Sequence, residues 1–276
     1  MKVNIRNAIK IAFEENFGEP PTEDSAWSVL GGVTDANLDA PEELKDEQTL
    51  GGTVVYYGHF IPKSSISGLV TNTNLNTILS LIPDNQTLQP AFVALKLANS
   101  DLSLGFLLAG GICESVALNL KAGEPAKFDL DLTFLKLTSI TPFTPQRDSG
   151  TPIMWHNAQV LIGGNNFQVS ECKITIRQDV KRESDLSTVK PTGEKRLAHL
   201  VAWSRPTVEL DLSIFVPHVS GIGADTLSPI AVAVTLGNQT LTFQNLYIES
   251  RRLPFKAGDD LWVQELRLKG FEDSLP

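Results

Sequence analysis

Cysteine is nearly missing from this chain: Cys113 and Cys172 are the only two in 276 residues. Two thiols cannot make a disulfide framework, and with four scattered histidines they cannot make a zinc framework either. Two buried, apolar thiols are therefore expected, since a bridge between them is disfavoured in a reducing compartment. Long apolar runs are missing too. None approaches the roughly 18 residues of a membrane span, and the start Met1-Lys-Val-Asn-Ile-Arg-Asn7 lacks the apolar centre of a secretory leader. Synthesis and retention in the cytosol are expected, which leaves the sequons Asn85-Gln-Thr87 and Asn238-Gln-Thr240 without meaning. There is no basic excess. A net charge of −9 and a pI near 5.0 exclude a sequence-independent nucleic-acid binder, which needs cations to displace counterions from phosphates.

Reaction centres are equally scarce. His59 and His218 stand beside Pro-terminated strand ends, His156 in a loop and His199 in a long polar stretch, and none falls in a nucleophile elbow or a metal-ligand spacing. Gly221-Ile-Gly223 lacks the third glycine of a dinucleotide site, and Thr192-Gly-Glu-Lys-Arg196 lacks the spaced glycines and final Ser or Thr of a P-loop. Asp129/Asp131 and Glu209/Asp211 are paired carboxylates. On a strand, though, alternate residues simply share the solvated face, and that reading is preferred to acid–base work or calcium binding. No catalytic, cofactor or metal site is expected.

What is present is a pattern written twice. Glu114-Ser-Val-Ala-Leu-Asn-Leu-Lys-Ala-Gly123 and Glu249-Ser-Arg-Arg-Leu-Pro-Phe-Lys-Ala-Gly258 share Glu-Ser-x-x-Leu-x-x-Lys-Ala-Gly. Upstream, in the same order, lie Thr53-Val-Val-Tyr-Tyr-Gly-His-Phe-Ile-Pro62 and Thr207-Val-Glu-Leu-Asp-Leu-Ser-Ile-Phe-Val-Pro217. At 42% hydrophobic the chain can bury one large core or two of ordinary size, and the repeat favours two. The linker falls at 141–152, a proline-containing stretch that makes a poor strand, between domains at 1–140 and 153–276.

Within each half, strands dominate. Phe128, Leu130 and Leu132 alternate with Asp129 and Asp131; Ile174 and Ile176 alternate with Lys173, Thr175 and Arg177. Val208, Leu210, Leu212 and Ile214 alternate with Glu209, Asp211 and Ser213, as Leu266 and Leu268 do with Glu265, Arg267 and Lys269. A period of two with one wet face reads as antiparallel sheet. One segment breaks it: Leu75, Ile78, Leu79 and Ile82 stand at helical spacing, with Thr71, Asn72 or Thr73 to cap and Pro83 to stop. The corresponding Asp225–Val234 reads as a shorter, degraded helix, because Pro229 and β-branched residues disfavour one. Two polar stretches, 35–51 and 179–205, are too long for ordinary turns, and each precedes the Thr-Val strand of its half.

The opening Phe13-Glu-Glu-Asn-Phe-Gly-Glu-Pro-Pro-Thr22, the following Ser28-Val-Leu-Gly-Gly-Val33, the paired Lys-Ala-Gly-Glu/Asp turns and Arg205-Pro-Thr-Val-Glu-Leu-Asp-Leu212 together resemble tail tube proteins of tailed phages and related viruses. The resemblance covers most of the chain by pattern and order. It implies two tandem antiparallel β-sandwich or partial-barrel domains, each with a short flanking α-helix, and a structural virion protein. Three such chains would close a homotrimeric, pseudo-hexameric ring, and stacked rings would make the tube through which the genome is delivered. The implied partners are further copies of the chain and the tape measure, terminator and baseplate proteins of the tail; DNA passes without specific binding, and no membrane is involved. Assembly in the host cytoplasm and residence in the virion follow.

On that resemblance Asp129, Asp131, Lys173, Arg177, Glu209, Asp211, Glu265, Arg267 and Lys269 are candidates for the lumen. Glu42, Glu43, Lys45, Lys181, Arg182, Glu183, Lys190, Glu194, Lys195 and Arg196 are candidates for contacts between rings. A carbohydrate- or receptor-binding β-sandwich of a baseplate or fibre is the alternative; it would need clustered exposed aromatics, whereas Trp27, Trp155, Trp203 and Trp262 are dispersed.

Overall fold

A computed structural model of the chain describes residues 2–4, 8–39, 42–49, 52–83, 85–98, 104–143, 150–183, 200–215, 228–252 and 263–276. The N-terminal half contributes β1 (Lys2–Asn4), β2 (Ala8–Phe13), β3 (Ser28–Val29), β4 (Val33–Asp39), β5 (Glu42–Thr49), β6 (Gly52–Phe60) and β7 (Lys63–Leu69). A helix, α1 (Leu75–Leu79), then precedes β8 (Phe92–Ala98), β9 (Gly105–Lys121), β10 (Lys127–Thr133) and β11 (Lys136–Ile140). The C-terminal half contributes β12 (Ala158–Ile162), β13 (Asn165–Asn166), β14 (Val169–Arg177), β15 (Val180–Glu183), β16 (Leu200–Trp203), β17 (Thr207–Phe215), β18 (Ile230–Leu236), β19 (Gln239–Arg252) and β20 (Val263–Gly270). The protein is mainly β, and every strand pair among the described residues is antiparallel.

One open sheet runs through both halves in the order β1-β4-β7-β10-β9-β14-β17-β20-β19-β18-β12-β13. Its alternation is the one the sequence predicts: Phe128, Leu130 and Leu132 point to the core, as do Ile174, Ile176, Leu210, Leu212, Leu266 and Leu268. Burying one such side chain is worth about 1.5–3 kcal/mol, so repeating the period over eight central strands fixes which face is dry. The buried residues of the two halves merge into one contiguous core that includes Ile66, Phe128, Leu210 and Phe243. That differs from the two separate cores expected, because β9 of the first half pairs directly with β14 of the second and leaves no seam between them.

Strands β9 and β19 are long enough to serve two ladders. Residues 105–112 of β9 pair with β8 and residues 112–119 with β10; residues 239–246 of β19 pair with β18 and residues 247–252 with β20.

The helix lies where the apolar spacing predicts it, though shorter. The Thr71 hydroxyl accepts from the Asn74 amide at 3.2 Å, and the Asn74 side chain returns the favour to the Thr71 amide at 2.8 Å while donating to the carbonyls of Gly31 and Leu69. Leu75 and Ile78 are buried beneath it. The second helix expected at Asp225–Val234 is not formed over its described part, where Ile230–Leu236 is a strand; β-branched Ile230, Val232 and Val234 prefer the ladder with β19.

Both long polar stretches contain β-structure. Within 35–51, β4 belongs to the central sheet and β5 forms a two-stranded ladder with β6; within 179–205, β15 pairs with β16. Just past the expected linker, Ile153 is clasped between Val70 and Ala126 by backbone hydrogen bonds of 2.8 Å, so the first residue of the expected second domain sits against the first half.

Candidate functional site: a bare polar face between two open edges

The central eight strands read β4-β7-β10-β9 and then β14-β17-β20-β19. The second set repeats the pairing of the first, strand for strand. The flanking elements follow suit: β2 pairs with β3 and β8 as β12 pairs with β13 and β18, and each half sends out a two-stranded hairpin between its first two central strands.

Irregularities recur in the same places, and they are stronger markers than the regular ladder because a bulge inserts one residue at one point. The ladder of β4 with β7 shifts at Thr34, and that of β14 with β17 shifts at Ser170. The Thr34 hydroxyl donates to the Ser67 carbonyl at 3.3 Å, and the Ser170 hydroxyl donates to the Ser213 carbonyl at 3.1 Å. The ladder of β9 with β10 shifts at Glu114, and that of β19 with β20 at Glu249: the first residue of the repeated Glu-Ser motif is the bulged residue in both. A third shift, against β8 and β18, carries the left-handed residues Gly110 (φ 64°) and Asn245 (φ 53°). The upstream sequence pair behaves differently. Thr53–Pro62 lies mostly in β6 of a separate hairpin, whereas Thr207–Phe215 is β17 of the central sheet, whose counterpart by pairing is β7.

All nine residues proposed from sequence for a lumen fall on the face opposite the core. Asp129, Asp131, Lys173, Arg177, Glu265 and Arg267 are exposed; Glu209, Asp211 and Lys269 are partly so. Cross-strand register sets the rows: Asp131 faces Ser65 and Ser115, Lys173 faces Asp211, and Asp211 faces Arg267.

The two halves of this face are charged differently. On the second, Arg267 bonds Glu209 at 2.8 Å and Glu249 at 2.9 Å and lies 3.5 Å from Asp211, and Lys269 lies 3.7 Å from Glu249. Glu209 above all, with Asp211 and Glu249, raises the affinity of the Arg267 guanidinium for its proton. At the position equivalent to Arg267 the first half has Asp131, which accepts from the Ser65 hydroxyl at 2.8 Å. Asp35, Asp39 and Asp129 share that acidic part of the face.

Among the inter-ring candidates, Lys181 is exposed on β15, and Glu42, Glu43 and Lys45 lie on β5 and Arg182 and Glu183 on β15. Lys190, Glu194, Lys195 and Arg196 lie outside the described residues, as do His199, His218, Gly221–Gly223 and the Leu253–Gly258 end of the second motif. Of the tryptophans, Trp27 is buried under Lys96, Trp203 packs edge-on to Phe92, and Trp155 is exposed beside His156. Both cysteines are buried and free, and burial pushes each thiol up to about 12.

The two edges of the central sheet have no signal in the amino-acid pattern. Among the described residues, the side of β4 away from β7 pairs only with β1, over Asn37–Asp39. On β19, residues 247–252 pair with β20 on one side, and no ladder covers their other side among the described residues. By pairing, β4 corresponds to β14 and β19 to β9, the two strands that join the halves. Comparison with protein-family models gave no match, and none of the curated proteins matches the chain.

Proposed function

We propose that this chain is a structural subunit of a viral tail tube, built by duplication of one β-rich unit, and that three copies close a ring whose bare polar face lines the bore. The observation that carries the reading is the repeated strand order with its three matching bulges, ending in two edges that are the counterparts of the joined pair β9 and β14, that of β19 uncovered among the described residues and that of β4 paired with β1 over Asn37–Asp39. An open sheet with free edges is a template for adding another chain. Because the two edges differ, copies join head to tail, and such joints either close into a ring or run on as a filament.

The β9–β14 joint supplies the register for the joint between copies. Ala117 faces Thr175 and Ser115 faces Arg177 within the chain. Transferred through the bulges, the same register sets Arg252 opposite Asp39 of the next copy. Arg251 and Arg252 are exposed on one edge, and Asp35 and Asp39 stand on the other, so the edges are complementary in charge.

Ring size follows from strand geometry. Eight central strands from each of three chains make twenty-four; at about 4.8 Å spacing and about 40° tilt the backbone barrel is roughly 48 Å across, and side chains narrow the bore to roughly 35 Å. That admits duplex DNA, and a ring of six chains would be about twice as wide. A lining of mixed sign with an acidic share holds no phosphate, because retention requires cations to replace counterions. Negative-stain microscopy with native mass spectrometry of the purified protein tests the reading: rings of three chains are expected. Rings of six, or a chain that forms no ring or tube at any concentration, would refute it.

A further inference from the structure

One flanking strand of the first half has no counterpart in the second. Residues 105–109 of β9 carry β8 on one side and β11 on the other, Lys136 facing Ala109, Thr138 facing Leu107 and Ile140 facing Gly105. The matching bulges at Gly110 and Asn245 make Thr240–Gln244 of β19 the counterparts of those residues. They carry β18 on one side, and among the described residues no strand lies on the other.

The residues that follow β20 account for the difference. Where Lys136–Ile140 runs on as a strand after β10, Glu272–Ser274 closes a 3-10 turn after β20. The Ser274 hydroxyl donates to the Asn245 carbonyl, the Asn245 side chain donates to the Asp273 carboxylate at 3.1 Å, and Arg205 pairs with Glu272, so the turn is pinned at the bulge and does not run along the edge. Burial follows the strand. Gly105 and Ala109 are buried beside β11, whereas their counterparts Thr240 and Gln244 are exposed, as is Thr242 between them. The threonines keep the segment extended, and no proline, lysine or bulge within it blunts the edge.

We propose that Thr240–Gln244 is a docking edge that takes an extended segment of another polypeptide as an added antiparallel strand. Strand β11 shows what fits: a run of 5 residues with Leu137 packed on the core and Lys136 and Thr138 on the outer side. Charge selects the occupant. Its first residue, in the place of Lys136, stands across from Gln244 and next to the exposed Asp273, where a cation is favoured. A second copy of this chain, offering its own Thr-Leu-Thr-Phe-Gln edge, brings no cation to that point, so the partner is a different protein. The edge is separate from residues 247–252, the part of β19 that joins copies in the assembly reading above, and does not depend on ring closure.

The probe is a capped, fluorescein-labelled peptide of residues 135–141, mixed with the intact protein. Anisotropy should show saturable binding, weakened several-fold by Lys136→Glu in the peptide and recovered when that peptide meets protein carrying Asp273→Lys. Disulfide exchange reads the register: peptide carrying Thr138→Cys should couple to protein carrying Thr242→Cys, without competition from the buried Cys113 and Cys172. Hydrogen exchange of the wild type gives the same reading without a protein variant, with added protection expected at the amides of residues 240–244. Absence of saturable binding overturns the proposal. So does coupling to Leu107→Cys in place of Thr242→Cys, which would mean that the peptide merely replaces β11. A protein dimer coupled through two Thr242→Cys chains without peptide also overturns it, by making a second copy the occupant. None of these outcomes bears on whether three chains close a ring.

Discussion

Reversing one charge at the proposed joint should weaken assembly by an amount that strand geometry allows one to bound. In the register of the β9–β14 ladder, Arg252 of one copy would stand directly across from Asp39 of the next, both positions belonging to the polar face. An exposed pair of opposite charges is worth about 0.2–1 kcal/mol, and like charges directly opposite cost a similar amount. Arg252→Glu removes the first and adds the second, a swing of about 0.4–2 kcal/mol per joint, or roughly 2- to 30-fold in the association constant. A ring of three closes three joints, so the swing compounds to about 1–6 kcal/mol per ring and should raise the concentration needed for assembly. Asp39→Arg should do the same. Combining both restores a pair in the opposite sense and should recover most of the loss, the residual reflecting the Glu265 neighbour of Arg252 in β20. The defect should shrink as salt is raised, since the pair is exposed. Sedimentation velocity across a concentration series reads all four proteins. Single reversals that assemble like the wild type, or a double reversal no better than the singles, would show that these residues do not meet.

Other consequences are local. Glu14, buried at 7% exposure, accepts from the amides of Gly18 at 2.8 Å and Gly110 at 2.9 Å, so Glu14→Ala strands two buried donors and should cost about 2–4 kcal/mol in chemical denaturation. A Cβ at left-handed Gly110 would meet the Leu135 Cβ at 2.6 Å, so Gly110→Ala should cost about 2 kcal/mol or more, whereas Asn245→Gly at the matching bulge should cost little. Cys113 and Cys172 titrate near 9 when unfolded and are raised to about 12 by burial in the fold. Stability from them is thus full below pH 9 and declines as pH rises from 9 to 12, and iodoacetamide at pH 8 should label neither until denaturant is added. Asp129→Lys with Asp131→Lys should leave assembly largely intact, both side chains being exposed, but should slow genome ejection from virions at low salt; ejection at the wild-type rate at every salt concentration would mean that these carboxylates do not face the bore.

The strands legible in the sequence are those with one apolar and one polar face, such as Phe128–Thr133 and Thr207–Phe215, because a period of two leaves no second register that keeps leucines dry. β7 was not legible. Its Lys-Ser-Ser-Ile-Ser-Gly-Leu carries one β-branched residue among small polar ones, so the valines and tyrosines of β6 drew the repeat alignment to the wrong strand. Acidic Glu42–Thr49 reads as loop for the same reason; pairing with the neighbouring β6 makes it a ladder. The bulges at Thr34 and Ser170 had a faint signal in Val-Thr-Asp and Val-Ser-Glu, too short to stand out before the pairing was known. The polar face was legible as a set of residues, but its pairing of β9 with β14, and hence the two edges, depends on contacts fifty or more residues apart in sequence.

The charge difference between the halves bears on how such a face would work once closed. The matching bulges place Arg267 and Asp131 at equivalent points, yet one is the hub of three carboxylates and the other a carboxylate held by a serine. Had both halves kept the arginine, a ring of three would present six guanidinium groups at one level, and a phosphate strand passing through would find a cation at every sixth of a turn. With aspartate in one half, each guanidinium is separated from the next by an acidic sector, and each is also committed to Glu209 and Glu249 on its own half. Phosphate would have to break those pairs to bind, gaining one contact at the loss of two. Asp131→Arg copies the second half onto the first without a counterpart of Glu209, whose place Lys63 takes, and should therefore make assembled tubes hold DNA, with salt-dependent retention of labelled duplex as the measure; tubes of the variant that retain no more duplex than the wild type at low salt would show that the two sectors do not share a bore.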